Sequence, residues 1–208
     1  MRTEVTERVL YSFEELSEAS KERAREWWRA GAGCDNFFAE AVIDDAEHIA
    51  PLLGIDFMVD RVPLCGGGTR TKPRIYWSGF WSQGDGASFE AYFAYKKGSA
   101  KAIREHAPMD KELHAIADAL QAAQRRVFYR ANGTITTRGH YSHSGTMHIS
   151  MNDGCESVED DIEQALREFA DWIYSQLEAA YEYEQSDENV DANIIANGYE
   201  FTEAGDLA

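Results

Sequence analysis

Between residues 158 and 181 the apolar side chains Val158, Ile162, Leu166, Phe169, Trp172, Ile173, Leu177 and Tyr181 recur at intervals of three and four. That period belongs to an α-helix with one buried face, and it predicts a helix over about 157–183. The positions between them are acidic: Glu156, Glu159, Asp160, Asp161, Glu163, Glu168, Asp171, Glu178, Glu182 and Glu184, followed by Asp187, Glu188 and Asp191. Such a helix must lay one side on a core and turn the other to water, so the rest of the chain has to supply a body for it to cover. With 208 residues, 44% of them hydrophobic, there is enough chain to bury one.

The acidity is concentrated. Up to residue 150 there are 20 Asp and Glu against 19 Lys and Arg, whereas from Met151 onward there are 17 acids and one base, Arg167. The charge pattern predicts a near-neutral core over 1–150 and a strongly acidic helix and tail over 151–208, packed on the same domain. Phosphate binding requires the opposite sign, and an anionic membrane surface repels the same segment. Neither direct nucleic-acid binding nor membrane association is expected. No apolar run approaches the roughly 20 residues needed to cross a bilayer, and the start MRTEVTERVL lacks the layout of a secretory signal, which points to the cytoplasm.

A coarse reading places the remaining elements. Ser12 and Glu15 have capping-box spacing, and Leu16, Ser20, Ala24, Trp27 and Trp28 fall on one stripe, predicting a helix over about 13–30 that Gly31 and Gly33 stop. A second stripe runs through Phe38, Ala41, Val42, Asp45, Ile49, Leu52 and Leu53 to Gly54, with Asp45 as its flaw. Ile55, Phe57 and Val59 have strand period and lead into the loop Gly66 to Pro73. Residues 74–81 and 87–95 form a hairpin around Gln83 to Ala87, and a helical segment broken near Pro108 covers about 100–126. Strands at 127–130 and 134–142 flank Asn132-Gly133 as a two-residue turn, and Ser144-Gly145 turns the chain into a strand at 146–152. Helices in blocks around runs of strands indicate an α+β fold, an antiparallel β-sheet of hairpins packed against helices, ending in a long acidic amphipathic C-terminal helix.

Few residue groups carry chemistry. Cys34, Cys65 and Cys155 are odd in number and far apart, so they build neither a disulfide framework nor a paired zinc motif. His140, His143 and His148 lie within nine positions and with Asp153 could serve a metal-dependent hydrolase. In a hairpin turning at Ser144-Gly145, however, Tyr141 faces His148 and His140 falls on the opposite side from His143 and His148, which favours a solvated face. The glycines at 66–68 lack the Lys-Ser/Thr ending and following helix of a phosphate loop. The aromatic run Tyr76 to Trp81 fits a hairpin core better than a base-stacking platform, because only Lys72 and Arg74 stand near it as cations. No catalytic residue, resident metal or cofactor is expected.

The acidic helix remains. Ten carboxylates over a helix of about 28 residues span about 42 Å, roughly one charge per 4 Å. A single DNA strand presents one per about 3.4 Å. Two readings stand: a solvated face, or a face that competes with nucleic acid for a basic groove through Glu156, Glu159, Asp160, Asp161, Glu163, Glu168, Asp171, Glu178 and Glu182.

Three segments resemble a family of phage and prophage accessory proteins, sometimes labelled antitoxin-like: Tyr11-Ser-Phe-Glu-Glu-Leu-Ser-Glu-Ala-Ser-Lys-Glu-Arg-Ala-Arg-Glu-Trp-Trp28, Ile75-Tyr-Trp-Ser-Gly-Phe-Trp-Ser-Gln-Gly-Asp-Gly-Ala-Ser-Phe89 and Tyr199-Glu-Phe-Thr-Glu203. The resemblance implies a bacterial host cell as the setting. By charge and size it implies an inhibitor, anti-CRISPR or anti-restriction in type, that blocks the basic nucleic-acid-binding surface of a host defence complex. An antitoxin-like protein that neutralises a toxin by stoichiometric contact, through the Trp27-Trp28 helix, is the alternative it implies.

Overall fold

The computed structural model describes residues 8–31 and 37–208, so Gly33 and Cys34 lie outside the described residues. The fold is α+β, and all its paired strands run antiparallel. The chain divides into two compact units, Met1–Ala39 with Ala179–Ala208, and Glu40–Glu178. This division does not follow the charge boundary at residue 150, because each unit draws on both sides of it. No helix among the described residues is long and apolar enough to cross a membrane.

The smaller unit holds β1 (Tyr11–Ser12), α1 (Glu18–Ala30), α6 (Asp187–Asn197) and β10 (Glu200–Phe201). Ser12 and Glu15 do form the expected reciprocal contact, with the Glu15 carboxylate accepting from the Ser12 N–H at 2.8 Å. That contact closes a short 3-10 turn over Phe13–Glu15, and α1 starts afresh at Ser17, whose hydroxyl accepts from the Ser20 N–H. The tail folds back: β10 pairs with β1, and Phe13, Leu16, Ala24, Val190, Ile194 and Phe201 make the core, edged by Tyr11, Trp27, Trp28 and Tyr199. Arg25 grips Asp191 with two bonds of 2.7 and 2.8 Å, Arg29 pairs with Asp187, and Arg23 meets Asp206 at 2.6 Å. The acidity of the tail is thus matched in space by the bases of α1.

The larger unit takes most of α2 (Phe37–Leu53), then β2 (Ile55–Phe57), β3 (Val59–Pro63), β4 (Thr69–Pro73), β5 (Ile75–Ser78), β6 (Gly86–Phe89), β7 (Ala91–Ala94), α3 (Ser99–His106), α4 (Lys111–Arg126), β8 (Asn132–Thr137) and β9 (Met147–Met151). α5 (Glu159–Gln185) follows and continues from this unit into the smaller one. β2, β7, β8 and β9 form a four-stranded sheet in the order β2-β7-β8-β9. Its inner row is Ile55, Phe93, Ala91, Ile135, Met147 and Ile149, all buried. Asp45 is no flaw in α2: the buried positions are Ala39, Ala46, Ile49, Ala50 and Leu53, and Asp45 points outward near His106.

Three ladders meet at one point. The Met58 N–H donates to the Glu90 carbonyl at 2.8 Å, Glu90 N–H to the Arg74 carbonyl at 2.9 Å, and Arg74 N–H to the Met58 carbonyl at 2.7 Å. Each of the three chain segments changes partner there, so β2 pairs with β7, β3 with β4, and β5 with β6. The Arg74 guanidinium pins the junction by bonding both Asp60 and Glu90 at 2.9 Å. The hairpin read over 74–95 is thus present in its inner part, where β5 pairs with β6 over 75–89, while residues 91–94 leave it as β7 to pair with β2 and β8. The stretch 69–73, read as loop, is a strand that completes a ribbon with β3.

One turn and one strand expected in the middle of the chain are not there. Asn132 and Gly133 begin β8 rather than reversing the chain, because a Cβ at Gly133 would lie 2.5 Å from the Ser150 carbonyl oxygen, and its lack lets β9 approach. Residues 127–130 form no strand. The buried Gln124 amide bonds Ala131 both ways, at 2.7 and 3.1 Å, and closes a turn with Phe128 and Tyr129 at positive φ.

Candidate docking surface on the C-terminal helix

α5 is amphipathic as its period requires. Ile162, Leu166, Phe169, Trp172, Ile173 and Leu177 are buried, and the Phe169 ring lies 5.8 Å from Phe89 and stacks on Trp172 at 5.8 Å. On the opposite side, Asp160, Asp171 and Glu178 fall within one narrow stripe of the larger unit, since steps of eleven and seven residues return to nearly the same helix angle, and Glu168 flanks it. Glu182, which belongs to the smaller unit, is exposed.

The other acids of the expected set are placed differently. Asp161 pairs with Arg126, and Glu163 pairs with Arg167 one turn along the helix. Glu156 precedes the helix, and bonds from its own backbone N–H and then from the Gly154 N–H, the latter at 3.2 Å, hold its carboxyl below the usual range. Glu159 is half-buried in the first turn. The uncompensated row is thus sparser than the sequence count: four carboxylates between residues 160 and 178 cover about 27 Å, roughly one per 7 Å.

Neighbouring elements thicken the row in ways that spacing in the sequence does not show. The Trp172 indole N–H donates to Asp110 at 2.9 Å, while the other Asp110 oxygen caps α4 by accepting from the Leu113 N–H at 2.9 Å. This brings the start of α4 beside the α5 face, and desolvation, reinforced by the charges of Asp110, Asp171 and Glu168, pushes the Glu112 carboxyl up. Towards residue 178, Tyr174 donates to the Gly79 carbonyl at 3.2 Å, and burial together with the charges of Glu178 and Asp85 pushes its phenol up. Asp110, Glu112 and Asp85 are therefore members of the same anionic surface. A capping pattern after Pro108 marks Asp110 as a helix start, but nothing in the sequence marks it as a neighbour of Asp171.

The lone base of the acidic segment does not relieve that surface. Arg167 turns inward, donating to the carbonyls of Ser144 and Met147, the latter at 2.9 Å, and to Glu163. It holds the 138–146 loop, whose Tyr141 ring packs on Gly84 and whose His143 packs on Gly86, where a Cβ would lie 2.5 Å from the His143 Cβ.

The histidines separate in this arrangement. β9 pairs with β8, not with residues 140–143, so His148 lies opposite Thr136 and not Tyr141. His140 is exposed on the loop, and His143 accepts the Gly145 N–H on Nδ1 at 3.0 Å. Among the described residues no three His, Cys, Asp or Glu side chains stand together in a way that could hold a metal ion. Cys65 is exposed at the tip of the β3-β4 ribbon. Cys155 is buried, its thiol pushed up by burial.

Residues 38–187 match the model of a family described as a domain of unknown function, DUF8835. The chain belongs to this family. The matched DUF8835 segment contains the whole larger unit, with the α5 face and every carboxylate assigned to it between Asp85 and Glu178. No curated protein and no solved structure matches the chain significantly.

Proposed function

We infer that the protein is a non-enzymatic binding protein whose acidic α5 face occupies a basic, nucleic-acid-binding surface of a host complex. One observation carries the reading. Arg167, the only base after residue 150, is committed to the Ser144 and Met147 carbonyls and to Glu163, so the exposed Asp160 and Asp171 and the half-buried Glu168 and Glu178 have no ion pair among the described residues, while Asp110 and Glu112 add to the same side. Like charges gathered this way oppose one another in the free protein and are relieved when a cationic surface docks, an attraction that salt weakens. The resemblance to phage accessory proteins supports a bacterial defence complex as the partner class.

The partner of an antitoxin would have to read Trp27 and Trp28. Both rings are half-buried, packed against Tyr199 at 5.2 and 5.9 Å, which gives the α5 face the stronger claim. The test is capture from lysates of bacteria carrying CRISPR or restriction systems, with tagged wild type beside a Glu168→Lys, Asp171→Lys, Glu178→Lys variant. The expected result is a nucleic-acid-binding complex retained by wild type in about 0.1 M salt, released in about 0.5 M salt, and absent from the variant. Equal retention by both proteins would overturn the reading.

A further inference from the structure

The β3-β4 ribbon is the one part of the larger unit that stands away from its body. Across 59–73 only Pro73 is buried and only Val62 is partly covered. The two strands pair with each other over five positions and, among the described residues, with no third strand. A two-stranded ribbon of this kind has no core and is marginal in water, so the fold gains little from it. It is held at its base by the junction of Met58, Arg74 and Glu90 and closed at its tip by bonds between Leu64 and Gly67 and Gly68.

Its charge is opposite to that of the chain. The ribbon carries Arg61, Arg70 and Lys72 against Asp60, in a protein whose net charge is −17. Arg70 and Lys72 alternate with Thr71 and share one face, and Arg61 lies opposite Thr71 on the other. None of these three cations makes an ion pair among the described residues, so none reaches the α5 face of its own molecule. Five strand residues extend about 17 Å. The stretch of α5 from Glu168 to Glu178 extends about 15 Å.

We propose that the basic β3-β4 ribbon of one molecule docks on the acidic α5 face of a second copy of the same chain. The proposal rests on the reading of that face as a surface for cations, and it adds that the chain carries a ligand for its own face. In a two-fold dimer the contact occurs twice, each ribbon on the other molecule's helix. Such a dimer covers the α5 face and competes with any external basic partner. Nucleic acid fits the ribbon less well, since three cations face a body whose net charge repels phosphate.

The experiment is sedimentation equilibrium of the full chain in about 0.1 M salt, where a screening length of about 10 Å damps repulsion between the two bodies but not pairs in contact, and again in about 0.5 M salt. Wild type should form a concentration-dependent dimer that higher salt dissociates. Arg61→Glu with Arg70→Glu should weaken self-association at least tenfold, and so should Glu168→Lys, Asp171→Lys, Glu178→Lys. An equimolar mixture of the two variants should restore the dimer as a heterodimer, because reversed ribbon meets reversed helix and native ribbon meets native helix. That restoration separates the proposal from a folding defect in either variant. A wild type that stays monomeric, a dimer indifferent to ribbon reversal, or a mixture that does not associate would overturn it. Binding of a fluorescent duplex DNA lost on ribbon reversal in a monomeric protein would assign the ribbon to phosphate and overturn it too. Salt-sensitive capture of a host complex that the helix variant loses, in a monomeric wild type, would leave the proposed function standing while this inference fails.

Discussion

Replacing Arg167 by Met should destabilise the protein by about 2–3 kcal/mol, although the residue lies in a segment whose every other charge is acidic. The guanidinium side chain is 22% exposed and donates to two backbone carbonyls, Ser144 and Met147, besides pairing with Glu163. A hydrogen bond from a charged donor contributes about 1.5–3 kcal/mol, and an i,i+4 pair a few tenths. Two such bonds at the lower end give about 3 kcal/mol. Recovery of water by the part-exposed acceptors brings the loss to the stated range. Met keeps the aliphatic stem, so lost packing adds little. For a chain of this length the change corresponds to a fall of roughly 5–10 °C in Tm. Urea unfolding followed by tryptophan emission is the assay, and the midpoint should fall with no change in slope. Arg167→Lys should lose about half as much, because one ammonium cannot reproduce the fork. A loss below about 0.5 kcal/mol for the Met variant would refute the assignment of Arg167 to the 138–146 loop.

Gly133→Ala should cost about 2 kcal/mol or more, because its Cβ meets the Ser150 carbonyl at 2.5 Å, whereas Gly66→Ala at the open ribbon tip should be neutral or slightly stabilising; urea midpoints distinguish the two. Glu112→Gln should raise stability near pH 7. The folded-state Glu112 pKa lies above its unfolded value, so the folded protein binds the proton more tightly and loses stability as pH rises through that window, and the advantage of Gln should vanish below about pH 4. A variant advantage that persists in acid would contradict the cause given for the shift. Peptide mapping after brief alkylation should find Cys65 modified in the native protein and Cys155 only after unfolding, since the Cys155 thiol is buried against Asn152 at 3.2 Å.

What could be read from the sequence follows the range of the forces involved. α4 and α5 are legible because their apolar periods are local and long: Leu113, Ile116, Ala117, Leu120 and Ala123 are all buried as the spacing requires. Strand partners are set by contacts far apart in sequence. The exchange of partners at Met58, Arg74 and Glu90 has no local signature, and Asn132-Gly133, a strong turn signal, is overridden by the close approach of β9. The turn at 127–131 depends on one buried amide, Gln124, that a count of apolar residues passes over. For the candidate site, the acidic stripe was visible but its neutralisation was not. Arg25, Arg29 and Arg126 lie far from Asp191, Asp187 and Asp161 in the chain and next to them in the fold. Asp110 and Glu112 joined the face by the same route.

The most direct measurement is a competition. The complex captured by the tagged protein is bound to a fluorescent duplex DNA, and its anisotropy is followed as untagged protein is added in about 0.1 M salt. The account predicts full displacement of the DNA by wild type, at least tenfold weaker displacement by the Glu168→Lys, Asp171→Lys, Glu178→Lys variant, and unimpaired displacement by a Trp27→Phe, Trp28→Phe variant of the smaller unit. DNA that stays bound while the protein binds beside it, or displacement indifferent to the three charge reversals, would contradict the claim that the α5 face is the working surface.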